Sequence, residues 1–310
     1  MMKDMSYTPH CIVCGCESFK MITQQSEYVV RQCVNCGLGI TTPFPPPNTQ
    51  RQVNTETYTL ENRLYAYNNR IKEFEARYQS QCQHIVELLP RSQSTILPKL
   101  LDIGCSLGHF LQVAKRSGFS VQGVELSSES AAYARAHGLD VFCGTLEDAH
   151  YPDNSFDVIT LWDVLEHVPD PAELLNQIHR LLKPDGILAI QSPNINSKMR
   201  EICGSAWNWW LLPDHLYHFS SLSLEKLLQK SLYKIVSFET WEPPVDFLLN
   251  VIPAKASVLG AGFFYKAVRR LSILGIPAFA GLLHPFQAKW WRAGQGALVM
   301  LHVKKLEIES

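Results

Sequence analysis

The chain has 310 residues, 28 of them Lys or Arg and 29 Asp or Glu, giving a formal charge of −1. That balance argues against a protein built mainly to grip nucleic acid, which usually carries a basic excess. Hydrophobic residues make up 46% of the sequence, too many for a disordered chain, and the length allows one large domain plus a smaller one. Residues 1–10 hold no apolar run of the signal-peptide kind, and no stretch of about 20 apolar residues predicts a membrane span. The nine cysteines are odd in number and partly arranged as C-x-x-C pairs. That suits a reducing cytosol and metal binding better than disulfides, so a cytoplasmic protein is expected.

The first element spans residues 1–42. Cys11-x-x-Cys14 and Cys33-x-x-Cys36-Gly37 are knuckles separated by 18 residues, with Tyr28-Val29-Val30 between them. Each knuckle brings two thiolates to one tetrahedral ion, and four thiolates close its shell, so a structural Zn2+ in a ribbon is expected. A redox reading would need one C-x-x-C opening a helix in a thioredoxin-like unit, and none is visible. Cys16 is a spare thiol with poorer spacing than Cys14. Zinc ribbons also bind RNA, but only Lys20 and Arg31 are basic between Cys11 and Cys36.

Residues 43–98 read as a connector followed by helix. Pro43, Pro45, Pro46 and Pro47 stiffen the chain. From about Thr59 to Leu89, the residues Leu64, Ile71, Phe74, Tyr78, Ile85, Leu88 and Leu89 recur at helical spacing. Tyr58, Tyr65 and Tyr67 are candidates to touch a ligand, with simple packing the equal alternative.

Residues 99–242 alternate strand and helix, which predicts a parallel sheet covered on both faces. Leu100 to Ile103 is a buried strand that runs into a turn at Gly104 and Gly108 and then a helix. The turn is not the dinucleotide fingerprint, because Ser106 and His109 stand where further glycines would be needed. Asp102, just before the first glycine, would repel a pyrophosphate and suits a cationic ligand without phosphate. S-adenosylmethionine fits, with an ammonium, a sulfonium and a ribose. Ser120 to Glu125 is the second strand. Glu125 lies 23 positions after Asp102, about where an α/β nucleotide fold places the acid that accepts from a ribose diol; the alternative is a surface Glu at the helix beginning near Ser127. Val141 to Cys143 and Phe156 to Leu161 are the third and fourth strands. Asp170-Pro171 opens a helix to Leu182, Lys183 to Gly186 is a turn, and Ile187 to Gln191 is the fifth strand. Leu222 to Leu232 is a helix, and Ile235 to Thr240 the sixth strand.

The runs LDIGCSLGHF, GVELS, GTLED, NSFDVITLWDVLEHVPDP and LLKPDGILAIQSPN resemble class I S-adenosylmethionine-dependent methyltransferases in order and spacing, over about residues 99–240. The resemblance implies a Rossmann-like doubly wound α/β sheet, mostly parallel with an antiparallel last strand, under a helical lid. It implies that the cofactor is held by Asp102, Gly104, Ser106, Gly108, Phe110, Glu125, Leu126, Thr145, Leu146, Trp162 and Asp163. Ser106 departs from the family's usual middle glycine, which implies altered contact rather than lost binding. His167, after Glu166, stands at a family-typical place near the cofactor.

Pro213-Asp214-His215-Leu216-Tyr217-His218-Phe219-Ser220 is similar to the E-H-x-x-Y-F-S run of sugar C-methyltransferases, which also carry an N-terminal four-cysteine zinc site. Asp214 replaces Glu, His218 replaces Tyr, and Pro213 takes the place of another His. The resemblance implies that His215 is a general base oriented by Asp214, with His218 and His167 as alternatives. Trp207, Trp209 and Trp210 are candidates to wall an acceptor pocket.

Residues 243–310 depart from a minimal methyltransferase and end in a strand, Ala297 to Val303. The segment 245–283 is apolar, with basic Lys266, Arg269 and Arg270. It reads equally as a cap over an acceptor pocket, a peripheral membrane contact or a dimer interface. The expected function is methyl transfer to a small-molecule acceptor: a sugar, lipid or lipid-linked intermediate. The rivals are an RNA or protein methyltransferase that docks through the ribbon, which near-neutral charge disfavours for RNA, and a non-catalytic cofactor-binding module.

Overall fold

Three short strands open the described part of the chain: β1 (Phe19–Gln25), β2 (Tyr28–Cys33) and β3 (Gly39–Thr42). Two helices, α1 (Leu60–Asn68) and α2 (Ile71–Leu88), occupy the stretch expected to be helical. There follow β4 (Lys99–Ile103), α3 (His109–Arg116), β5 (Ser120–Glu125), α4 (Ser128–Ala136), β6 (Val141–Cys143) and β7 (Phe156–Trp162). Next come α5 (Pro171–Leu181), β8 (Leu182–Pro193), α6 (Lys198–Cys203), β9 (Tyr217–His218), α7 (Ser221–Lys230), β10 (Tyr233–Trp241) and β11 (Leu298–Lys305). This computed structural model describes residues 10–46, 59–68, 71–90, 96–242 and 287–306. The 245–283 segment, Tyr58 and the basic residues at 266, 269 and 270 lie outside them.

The chain divides into two compact units. One comprises Pro46–Gln191, Leu228–Ser237 and Leu301–Ser310. Strands β4 to β7 lie within it and belong to a seven-stranded sheet of order β10-β11-β8-β7-β4-β5-β6. Strand β4 pairs parallel with both β5 and β7, β5 with β6, and β7 with β8, the pattern that helical crossovers require. The central strands are nearly continuous apolar runs because both faces are covered: Leu100, Leu101, Val158, Ile159 and Leu161 are fully buried. Helix α2 lays Tyr78, Cys82 and Ile85 against this core, and α3 adds Phe110, Leu111, Val113 and Ala114. Asp170 caps α5, its side chain accepting from the Glu173 N–H, with Pro171 in the first turn as expected.

The turn expected at Lys183–Gly186 lies inside β8. Phe156 pairs with Leu182 and Val158 with Ile187, so the four intervening residues bulge out of the ladder. Pro184 has no N–H to give to it.

The second unit comprises Met1–Pro45, Ser192–Leu227 and Phe238–Met300. It holds a four-stranded sheet of order β1-β2-β3-β9, in which all three pairings are antiparallel. Its core joins Val30 to Ile195, Met199, Cys203, Trp207, Trp210 and Ala297. The Trp207 and Trp210 rings meet edge to face at 4.9 Å inside this cluster. Both rings are buried in this core.

Candidate functional sites

The glycine turn is built by steric necessity. Gly108 has φ 77°, and a Cβ there would come within 2.3 Å of the Leu139 Cδ1. Gly104 also lies in the left-handed region, as does Ser106 at φ 50°. A side chain at that φ costs about 1 kcal/mol or more. The Ser106 N–H donates to the Glu125 Oε2 at 2.8 Å, and the Ser127 N–H donates to the Oε1 at 2.7 Å. One carboxylate at the end of β5 thus ties the glycine turn to the start of α4. Each of its oxygens keeps a further lone pair for a hydroxyl donor. Glu125 is buried, whereas Leu126 beside it is 65% exposed.

Asp102 is buried at 2% exposure, and its Oδ1 accepts from the Thr160 hydroxyl at 2.6 Å. Burial pushes this carboxyl up to about 8, the Thr160 bond opposes the rise, and the Glu125 charge adds to it. Asp163 follows β7 with φ 55°; its Oδ2 accepts from the Gln191 side chain at 3.0 Å. Burial raises it to about 6, against the lowering effects of Gln191 and His167. The Asp163 Oδ1 and the Trp162 Nε1 are buried with no hydrogen-bond partner among the described residues. Two buried acids with raised values, Asp163 with one oxygen unsatisfied, suit a ligand that brings positive charge and donors.

The other expected cofactor residues are placed as follows. Phe110 is buried against Trp162, ring centroids 4.9 Å apart, in the core of its unit. Thr145 is exposed and its hydroxyl donates to Asp148, while Leu146 is buried. His167 closes the single turn Leu165–His167 and is half-buried. Three residues the sequence reading missed belong here. Thr160 fixes Asp102, Gln191 holds Asp163, and Arg63 of α1 donates to the Ser106 hydroxyl at 2.7 Å. A threonine within the apolar run of β7 was a legible signal. Arg63 carried none. Tyr67 of α1 stacks on His109, whereas Tyr65 is exposed.

In the other unit, Cys11, Cys14, Cys33 and Cys36 bring their sulfurs within 4.8 Å of one another. The Cys11–Cys36 and Cys14–Cys33 sulfurs are 3.4 and 3.5 Å apart. These distances are far beyond a disulfide bond of about 2.05 Å and close to the edge of a tetrahedron with Zn–S bonds of about 2.3 Å. Burial drives the Cys11 thiol up to about 11 and pushes Cys36 higher still. A divalent cation at the centre is what would let such thiols ionise. The residues fit zinc.

His215, His218 and Asp214 are all buried in this same unit. The His215 Nδ1 lies 3.0 Å from the Trp209 carbonyl oxygen. A carbonyl only accepts, so Nδ1 carries the proton and Nε2 is the basic nitrogen of the neutral ring. The Trp209 carbonyl is thus an orienting partner that the sequence did not reveal. The His218 Nε2 lies 3.1 Å from the Thr41 hydroxyl, which itself donates to the His215 carbonyl at 2.6 Å.

Comparison with known proteins agrees with this geometry. A family profile described as methyltransferase domain matches residues 74–237, just over half of the chain. Among curated relatives, the ubiquinone biosynthesis O-methyltransferase of Actinobacillus pleuropneumoniae is 33% identical over 134 residues, 39% of this chain and 57% of the relative. The protein of the same name from Pseudomonas aeruginosa is 34% identical over 132 residues, 39% of this chain and 56% of its own length. The chain therefore spans little more than half the length of the curated relatives it matches. Among solved structures, the complex of the Haloferax volcanii Trm112 methyltransferase activator with a methyltransferase aligns with TM-score 0.51 and 16% identity, over 80% of this chain and 97% of that one. The plantazolicin methyltransferase BpumL aligns with TM-score 0.50 and 14% identity, over 84% and 96%. These two speak for the fold alone. With the sheet order, the glycine turn and the acid at the end of β5, the profile match shows that the chain belongs to the methyltransferase-domain family, of the class I S-adenosylmethionine-dependent type.

Proposed function

We propose that this chain transfers a methyl group from S-adenosylmethionine to a small-molecule acceptor, with His215 taking the acceptor's proton. The observation that carries the reading is Glu125: a buried carboxylate held by two backbone N–H groups at 2.7–2.8 Å, with acceptor capacity left for a ribose diol. Asp102 and Asp163 are buried acids with raised values, and a bound cation would favour their ionised forms. When bound, S-adenosylmethionine supplies a methyl already activated on a sulfonium. The work left to the protein is to align the acceptor, exclude water and remove its proton.

His215 is suited to that last task. Its Nδ1–H is committed to the Trp209 carbonyl, which makes Nε2 the basic nitrogen of the neutral ring and holds the ring's orientation. His218 is the weaker candidate at its Nε2, because that nitrogen donates to Thr41. The ribbon cysteines, on this reading, hold one structural zinc. The segment 245–283 keeps its three readings: cap, membrane contact or dimer interface. No helix among the described residues is long and apolar enough to cross a membrane.

The acceptor class is argued from the near-neutral charge, which disfavours RNA, and from the small-molecule chemistry in the curated relatives' names. The test is label transfer. Protein incubated with methyl-labelled S-adenosylmethionine and fractionated cell extract should place label in a low-mass product. His215→Ala should slow that transfer about 100-fold or more while leaving cofactor affinity intact. Label confined to RNA or protein would replace this reading with the macromolecular one.

A further inference from the structure

The four-cysteine ribbon and the 213–220 run are far apart in sequence yet form one sheet. Residues 36–41, from the last cysteine of the second knuckle into β3, hold the run at four points. Strand β9 pairs antiparallel with β3, Gly39 opposite His218 and Ile40 opposite Tyr217. The Thr41 N–H donates to the Leu216 carbonyl at 2.9 Å. The Thr41 hydroxyl donates to the His215 carbonyl at 2.6 Å. The Ser220 hydroxyl donates to the carbonyl of Cys36, itself an expected metal ligand, at 3.2 Å. The approach is close enough that a Cβ on Gly39 would come within 2.9 Å of the His218 Cβ and 2.8 Å of the Ile195 Cδ1.

Thr41 sits at the centre of this clamp and is fully buried. Its single hydroxyl proton goes to the His215 carbonyl, so toward His218 the oxygen can only accept. That fixes the proton of His218 on Nε2 and leaves Nδ1 as its basic nitrogen when neutral. One side chain thereby sets the backbone position of His215 and the tautomer of His218. Cys36 is five residues from Thr41, and the knuckle's own turn closes onto the start of β3: the Cys33 N–H donates to the Leu38 carbonyl, and the Gly37 N–H to the Cys33 carbonyl.

We propose that the metal knuckle is a positioning element for the 214–220 run and that Thr41 is the positioning residue that transmits it. A bound zinc would then order His215 and His218 as well as the ribbon. The inference rests on the proposed reading of His215 only for its functional meaning; the coupling itself is measured without turnover.

The test is hydrogen exchange, read by mass spectrometry, on the full zinc-loaded chain, the chelator-stripped chain, and zinc-loaded Thr41→Val and Thr41→Ser. Peptides covering 214–220 should exchange at least about tenfold faster in the stripped protein and in Thr41→Val, with Thr41→Ser close to wild type because the hydroxyl is retained. Peptides covering Leu100–Glu125 should keep their protection, and S-adenosylmethionine affinity by calorimetry should stay within about twofold. Wild-type protection of 214–220 after zinc removal or in Thr41→Val would overturn the proposal. So would a Thr41→Val protein that has lost its zinc, since Thr41 would then serve the ribbon's own fold. A failure here leaves the His215 assignment standing, and a fully active His215→Ala leaves the coupling standing.

Discussion

Removing the Glu125 carboxylate is the sharpest perturbation of the cofactor site. In Glu125→Ala, the Ser106 and Ser127 N–H groups lose their acceptors at 2.8 and 2.7 Å, and the bound ribose loses its own. A hydrogen bond to a charged group contributes about 1.5–3 kcal/mol, and the loss at one carboxylate is not additive. Affinity for S-adenosylmethionine should fall by about that amount, roughly 10- to 150-fold. Glu125→Gln tests the chemistry more finely. Its amide has one accepting oxygen and one donating nitrogen, so either Ser106 or Ser127 would face a donor. It should bind nearly as poorly as the alanine variant despite its matched shape. Glu129→Ala, exposed on α4, is the control. Isothermal calorimetry gives the affinities, and thermal unfolding shows whether each variant is folded. A folded Glu125→Ala that binds within about twofold of wild type would refute the reasoning.

Three further outcomes are expected. Asp102→Asn should weaken cofactor binding yet stabilise the free protein: its folded value near 8 exceeds the ordinary 3.8, so wild-type stability present below pH 3.8 is lost as pH rises toward 8. The gap in Tm between variant and wild type should widen from about pH 5 to 8, and a gap independent of pH would contradict the buried, raised carboxyl. Cys33→Ser should abolish a zinc content of one per chain and lower stability; full metal in that variant would place the site elsewhere. Gly108→Ala should cost about 1–3 kcal/mol in unfolding free energy, because the added Cβ meets Leu139 at a left-handed φ.

Much of this was legible because it was written locally. The cysteine spacing announced the ribbon, the apolar runs from Leu100 to Leu161 announced a covered parallel sheet, and the Asp102–Gly104–Gly108–Glu125 spacing announced the glycine turn with a buried acid on each side. What was not legible depended on distant residues meeting. No local pattern says that His218 pairs with Gly39, or that Thr41 bonds to both His215 and His218. The same holds for the Trp209 carbonyl on His215, a backbone atom with no sequence signature. Trp207 and Trp210, offered as pocket walls, lie in the buried core that includes Val30 of the ribbon, a placement no local pattern announces. At Lys183–Gly186 the turn chemistry was right locally, and the sheet absorbed it as a bulge.

The central claim is that the turn at Asp102, Gly104 and Glu125 takes S-adenosylmethionine. It is tested most directly by titrating the purified wild-type chain with S-adenosylmethionine and, separately, with NAD. The account predicts one S-adenosylmethionine bound per chain and no heat from NAD. Saturable binding of NAD with none of S-adenosylmethionine would contradict it.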